Sequence, residues 1–355
     1  MRVSKFLTLV CMFFLLTESC SRSHESVSGE TFNIDLKADN PVVTVDSVSE
    51  IALVTDSVSP IGMISKFLGQ GNYCFIMDIP TQTVWKFDND GQLIGKLSRI
   101  GSGPGEYGRL YDMDLDCEGN LYLLDMQKKK ILRYDADSMG FIAETKLPGN
   151  AVAFCGADST TFYLNNPGGK KGITAKLGIF KSGEKDINPL VESAIKDEYR
   201  AFGANSTHIW RSGNDLLYYD RFTSDIYELT QDSIIPYAAI NGGEFPSAED
   251  VQALIDASKN HDYAPFMEES KMVKDLLYAY KTADGIALGL STVPQTHVYK
   301  SFEDGETYTV RTDGNADFNG AVKGAIGVWN DRLVTFKPSE NDGNPSLVLY
   351  KVGKQ

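Results

Sequence analysis

Asp112, Asp114 and Asp116 alternate with Met113 and Leu115. Side chains along a β-strand point to opposite faces in turn, so this spacing puts three carboxylates on one face. If that strand lines a central channel, the three acids are material for a Ca²⁺ site, because Ca²⁺ is a hard cation that selects oxygen ligands. The spacing is not that of an EF-hand. Cys117 stands where that loop needs Gly, and Leu123 where it needs a bidentate Glu. The blander alternative is a solvated strand edge running into an Asx turn. A second oxygen-rich stretch, Asp313-Gly314-Asn315-Ala316-Asp317-Phe318-Asn319-Gly320, reads equally as a metal loop or a polar loop.

Histidine chemistry has little to work with. The chain has four His, and His208, His261 and His297 stand apart from one another and from Cys at any metal-ligand spacing. They read as separate structural or surface residues. No G-x-S-x-G elbow appears, and no local Ser/His/Asp arrangement suggests a triad. The better binding material is aromatic and cationic: Tyr107, Arg109, Tyr199, Arg200, Trp210, Arg211 and Tyr219 fall near the edges of β-rich units. Trp, Tyr and Arg dominate interface hot spots and stack on sugars and peptides. Their competing role is as core between packed sheets.

These residues must be positioned by a repeating body. Tyr73-Cys74-Phe75-Ile76-Met77-Asp78 precedes Val84-Trp85-Lys86-Phe87-Asp88. Forty-seven residues on, Asn120-Leu121-Tyr122-Leu123-Leu124-Asp125 precedes Ile131-Leu132-Arg133-Tyr134-Asp135. Asx and Gly turns join these short runs and lead into a further strand, which is hairpin chemistry. Weaker copies start near Thr161, Leu216, Ile286 and Arg332, making six units. Units of about 40–50 residues with four strands each are the mark of propeller blades. The expected fold is therefore all-β, a six-bladed β-propeller of four-stranded blades.

A helical insertion is expected between blades four and five, at about residues 244–282. Ser247-Ala248-Glu249-Asp250 is an N-cap pattern, with Val251, Leu254 and Ile255 at helical spacing. A second helical stretch is expected from about Pro265 to Tyr280, with Met267, Leu276 and Leu277 as its apolar members. The pair would form either a lid over one face or a packing decoration.

The chain has 355 residues, with 34 Lys+Arg against 48 Asp+Glu and a formal charge of −14. Hydrophobic residues at 42% and charged residues at 23% suit a globular body with a sizeable core. An acidic surface repels phosphate backbones, which argues against a nucleic-acid partner. Arg2 and Lys5 precede an apolar run from Phe6 to Leu16, too short for the roughly 20 residues of a membrane-spanning helix. Positive flank, short apolar stretch and then small polar residues is the secretory pattern. Residues 1–19 are thus expected to be a signal peptide, 20–31 a tether and 32–355 a single propeller domain. Cys74, Cys117 and Cys155 would remain as free thiols, or as one bridge and one thiol.

Two resemblances add to this. Leu15-Leu16-Thr17-Glu18-Ser19-Cys20 resembles a bacterial lipoprotein signal, in which the Cys becomes the acylated first residue; Thr17 and Glu18 depart from the strict pattern. Ile100-Gly101-Ser102-Gly103-Pro104-Gly105-Glu106-Tyr107 resembles the inter-blade loop of NHL- and TolB-like propellers, and Asp114–Asp125 resembles that family's first two strands. Lys130-Ile131 stands where the family usually has Arg-Ile. Together these resemble the six-bladed propeller lipoproteins of gut Gram-negative bacteria. The resemblance implies an outer-membrane lipoprotein of the cell envelope, acylated at Cys20 and touching the membrane through that anchor alone. It brings no catalytic residues. The function expected is non-enzymatic binding of a glycan, peptide or envelope protein. The alternative is a propeller hydrolase or lyase with Ca²⁺ at Asp112, Asp114 and Asp116.

Overall fold

A computed structural model describes residues 31–38, 43–55, 60–165, 175–192, 195, 208–231, 233–259, 272–312, 324–339 and 343–354. Two strands precede the repeats, β1 (Phe32–Asp35) and β2 (Val43–Ala52). Blade one follows with β3 (Lys66–Gln70), β4 (Tyr73–Asp78), β5 (Thr83–Asp88) and β6 (Leu93–Leu97). Blade two holds β7 (Leu110–Leu115), β8 (Asn120–Asp125), β9 (Lys130–Asp135) and β10 (Phe141–Lys146). Blade three holds β11 (Ala153–Gly156), β12 (Thr161–Asn165), β13 (Ala175–Lys181) and β14 (Asn188–Glu192). Blade four holds β15 (Ile209–Ser212), β16 (Asp215–Tyr219), β17 (Asp225–Leu229) and β18 (Ile234–Asn241). After helix α1 (Ala248–Lys259), blade five holds β19 (Leu276–Lys281), β20 (Gly285–Leu290), β21 (Gln295–Ser301) and β22 (Thr307–Thr312). Blade six begins with β23 (Gly327–Trp329), β24 (Arg332–Lys337) and β25 (Ser346–Lys354).

The ring closes with strands from both ends of the chain. β2 pairs antiparallel with β25 and becomes the outer strand of blade six, from Val43 opposite Lys354 to Ala52 opposite Ser346. β1 adds a fifth strand to blade four, parallel to β18. The end of β1 and the residue after it strap blade five: the Asp35 amide donates to Thr307 Oγ1 at 3.4 Å, and Arg311 Nη2 to the Leu36 carbonyl at 3.4 Å. Neither closure follows the repeat, and both unite ends far apart in sequence.

The core is six wedges, one between each pair of adjacent blades. Ile76 and Phe87 of blade one meet Trp329 and Phe336 of blade six, while Phe75 and Met77 meet Leu110 and Met113 of blade two. The middle strands are therefore buried on both faces, which is why they read as continuous apolar runs. Tyr107 lies in the wedge between blades one and two, fully buried, and its hydroxyl donates to the Gln82 carbonyl at 2.8 Å. Burial raises its phenol to about 12. Trp210 and Tyr219 lie in the wedge between blades four and five. These three aromatics are core residues, not ligand platforms.

The Gly-rich loop is the crossing from β6 to β7. Gly105 has φ +69°, and a Cβ there would sit 2.6 Å from the Phe141 ring. The Tyr134 hydroxyl donates to its carbonyl at 2.6 Å. The recurring Asp of the repeat also has a job: Asp125 accepts from the Gly108 amide at 2.7 Å and the Lys128 amide at 3.1 Å. Asp78 does the same for Gly62 at 2.8 Å and Thr81 at 3.2 Å. In blades one and two it fastens the loop entering the inner strand to a turn of the same blade.

Helix α1 starts as expected, with Ser247 Oγ accepting from the Asp250 amide and donating to its carboxylate. Val251, Leu254 and Ile255 pack on Phe222 at a turn of blade four. The second helical stretch does not extend to Tyr280, because Leu276 and Leu277 belong to strand β19; Pro265 and Met267 lie outside the described residues. Cys74, Cys117 and Cys155 are free thiols.

Ile34 is fully buried in the wedge between blades four and five. Ile34→Ala should lower stability by about 2–4 kcal/mol, read as an earlier midpoint in urea. A midpoint equal to wild type would show that the strap does not hold the ring.

Candidate functional site

The inner strands β3, β7, β11, β15, β19 and β23 surround the axis, and their polar residues meet there. The Phe154 amide donates to Asp112 Oδ2 at 2.8 Å and the Gly156 amide to Asp114 Oδ2 at 2.8 Å, so β7 and β11 run side by side in the same direction. We call the face where inner strands begin the upper face and the face where they end the lower.

Asp112 and Asp114 lie together in the channel, as the alternation on β7 requires, but each is already held by a cation. Lys66 Nζ of blade one sits 2.5 Å from Asp112 Oδ1. Arg211 of blade four grips Asp114 with a two-bond fork, Nε to Oδ1 at 2.7 Å and Nη2 to Oδ2 at 2.7 Å. Nη2 also donates to the Gly156 carbonyl at 2.6 Å. Burial works to lower the Lys66 ammonium, yet Asp112 holds it above its ordinary value. The Arg211 guanidinium is raised in the same way by Asp114, against the effect of burial. Asp116 turns away into an Asx turn, accepting from the Glu118 and Asn120 amides at 2.9 Å each and from the Tyr122 hydroxyl at 2.7 Å. The carboxylates expected to hold Ca²⁺ are thus spent on cations, amides and a phenol. Among the described residues no group of three or more His, Cys, Asp or Glu could hold a metal. Residues 313–320 lie outside the described residues, as do Cys20, Tyr199, Arg200 and His261.

The inner strand of blade five carries aromatic rings. Tyr278 and Tyr280 of β19 stack with ring centroids 5.9 Å apart, and the Tyr278 hydroxyl meets His297 Nδ1 at 2.8 Å. Burial pushes the Tyr280 phenol well up. Tyr278 is packed in the wedge between blades five and six.

Below the Asp114–Arg211 fork, the lower mouth opens as a cavity of about 190 Å³. Phe67, Leu68, Leu115 and Val328 give it apolar walls, and Gln70, Asn214, Asn330 and Asp331 give it a polar rim. The rim is built by tight hairpins. Asn330 and Asp331 both have positive φ, 50° and 58°, which is the type I′ geometry of a two-residue turn. Gly71 and Gly213 open the corresponding turns of blades one and four with φ +55° and +59°, and nothing stands within 4 Å of where their Cβ would lie.

A second buried cluster lies at the start of the inner strands on the upper face. His208 Nε2 meets Asp275 Oδ1 at 2.8 Å, and Arg221 Nη2 meets Asp275 Oδ2 at 3.1 Å. Burial would raise the Asp275 carboxyl, but His208 and Arg221 hold it below its ordinary value. His208 is therefore not a lone histidine. The cluster joins blade four to blade five, and its partners are 67 residues apart. Arg109 stands apart from both sites, exposed on the upper face.

The fold and this channel define a six-bladed propeller with a plugged axis. The model of the family described as Domain of unknown function (DUF4934) matches residues 32–351, and the chain belongs to that family. Among solved structures, the chain is similar to a candidate exported protein of Bacteroides fragilis, with a TM-score of 0.72 and 16% identity over 92% of this chain and 100% of that one. It is also similar to a Bacteroides vulgatus member of the DUF4221 family, with a TM-score of 0.56 and 10% identity over 88% and 98% of the two chains. At these identities the likeness is one of fold. No curated protein matches the chain.

Asp114→Ala leaves Arg211 buried without its carboxylate and should cost about 3–5 kcal/mol. Replacing both partners, as Asp114→Leu with Arg211→Met, should recover much of that loss. Urea unfolding of the three variants reads this directly; a double variant no better than the single would rule out a cross-channel pair.

Proposed function

We propose that the chain is a non-enzymatic binding propeller of the cell envelope, lipid-anchored at Cys20, whose lower channel mouth receives a side chain from a peptide or protein partner. One observation carries the binding reading: the cavity is open on the lower side and closed behind by the Asp114–Arg211 fork. A ligand enters and stops. Small-molecule sites usually measure about 300–1,000 Å³, and this cavity of about 190 Å³ is smaller. It suits one or two side chains of a larger partner, whose backbone would meet the hairpin rim. A glycan is less well served, since Phe67, the one aromatic on the cavity wall among the described residues, is itself buried and offers no open stacking face. Export is supported by the Phe6–Leu16 run and by the likeness to a candidate exported protein.

The test is a peptide library panned against the chain and counter-selected against Val328→Trp, which fills the cavity. Peptides retained by wild type should bind Val328→Trp at least about tenfold more weakly, a loss of about 1.4 kcal/mol. Binders indifferent to the substitution, or none at all, would end this reading. The anchor is checked separately: palmitate labelling should be present in wild type and absent in Cys20→Ala.

A further inference from the structure

The crossing from β6 to β7 and the turn from β8 to β9 bring four cations together on the upper face. Arg99, Arg109 and Lys129 are exposed, and Lys128 is half-buried. The backbone holds them in place. The Tyr107 amide donates to the Arg99 carbonyl at 3.0 Å, and the Gly101 amide to the Tyr107 carbonyl at 3.0 Å. Lys128 Nζ donates to the Gly101 carbonyl. Asp125 accepts from the Arg109 amide at 3.3 Å and the Lys128 amide at 3.1 Å. Of the acids present here, Asp125 is fully buried, and the half-buried Glu106 is engaged by its own loop, accepting from the Gly103 amide at 2.7 Å.

Between Arg99 and Gly101 stands Ile100. At 62% exposure it is the most exposed large apolar side chain among the described residues. Its loop is not loose, being tied at Arg99, Gly101 and Gly103 by the bonds above. A fixed apolar tip on a loop that also carries cations is unexpected on a chain of net charge −14. The hairpins of the lower face carry acids instead, Glu118, Asp158, Asp284 and Asp331 among them.

We infer that this part of the upper face docks on an anionic lipid surface, with the four cations on headgroup phosphates and Ile100 in the acyl boundary. A soluble polyanion would satisfy the cations and leave Ile100 in water. A membrane interface satisfies both at once. The opposite charge of the lower hairpins orients the contact, turning the lower mouth away from the lipid. Because β1 runs parallel to β18, Phe32 lies on the lower side. A chain also anchored at Cys20 therefore reaches this contact only if residues 20–31, about 40 Å at full extension, span the rim. The contact does not depend on what the lower mouth binds.

The test uses the chain from Ser21 onward, which retains every described element and the whole family match at 32–351. It is sedimented with vesicles of phosphatidylcholine alone, and of phosphatidylcholine mixed with phosphatidylglycerol. Binding is expected only to the anionic vesicles and should weaken as salt rises. Reversing two cations, Arg109→Glu with Lys129→Glu, should lower partitioning by about tenfold or more. Ile100→Ser should lower it severalfold without changing the salt dependence, and Glu118→Gln on the lower face should leave it unchanged. Equal binding to both vesicle types, or binding to neither, overturns the inference. So does displacement by dextran sulfate with Ile100→Ser indistinguishable from wild type, which would make the patch a polyanion site.

Discussion

The fork between Asp114 and Arg211 is the constraint around which the ring is organised. It spans from blade two to blade four, and through Gly156 it takes in blade three between them. Lys66 and Asp112 extend the same network to blade one. Four inner strands are thereby fixed against one another by charge-assisted bonds in a site largely removed from water, where each bond is stronger and each missing partner more costly. The geometry also has a functional side. Groups engaged in mutual neutralisation are poor metal ligands and poor general acids or bases. The residues that look most chemical in the sequence turn out to be the ones least free to react.

The two sides of the ring are built differently. Blades one to four supply the charged network, whereas the inner strand of blade five turns Tyr278 into the wedge with blade six, among close glycines. A Cβ at Gly324 would sit 2.5 Å from the Tyr278 ring, and one at Gly289 would sit 2.4 Å from it. Close packing on one side and ion pairing on the other leave the open space to the lower end. There the walls come from three hairpins whose turns need positive φ, so the shape of the mouth is set by backbone more than by mobile side chains.

Much of the fold was legible because the propeller writes its blades as repeats. The 47-residue step from Asp78 to Asp125 marks a shared job, tying a loop to a turn, and the apolar runs beside it mark strands buried on both faces. Closure was not legible. β1 and β2 lie outside the repeat, and a strand that completes a distant blade carries no local sign of its partner. The channel was half legible. Alternation placed Asp112 and Asp114 on one face, but Lys66 was passed over, although it stands 46 residues before Asp112, as Gln70 stands before Asp116. The 47-residue step carried back from Asp112 lands on Ser65, one residue short of Lys66, so the repeat alone does not point to it. Arg211 was singled out, yet a pair 97 residues apart has no sequence signature. Tyr107 and Trp210 take the core role of the two open to them, a choice the sequence does not make because an aromatic at a unit edge looks the same whether it faces solvent or the next blade.

The strap that begins at Phe32 gives the molecule a mechanical character. β1 runs parallel to β18 with four residues in register, from Phe32 opposite Ala238 to Asp35 opposite Asn241. A pull on the N-terminus directed along this strand loads those bonds side by side, in shear, instead of opening them one after another as in a peeled hairpin. The tension then enters the disc at the rim of blades four and five, far from the residues that plug the axis. A propeller tethered at this end can be tugged without disturbing its centre.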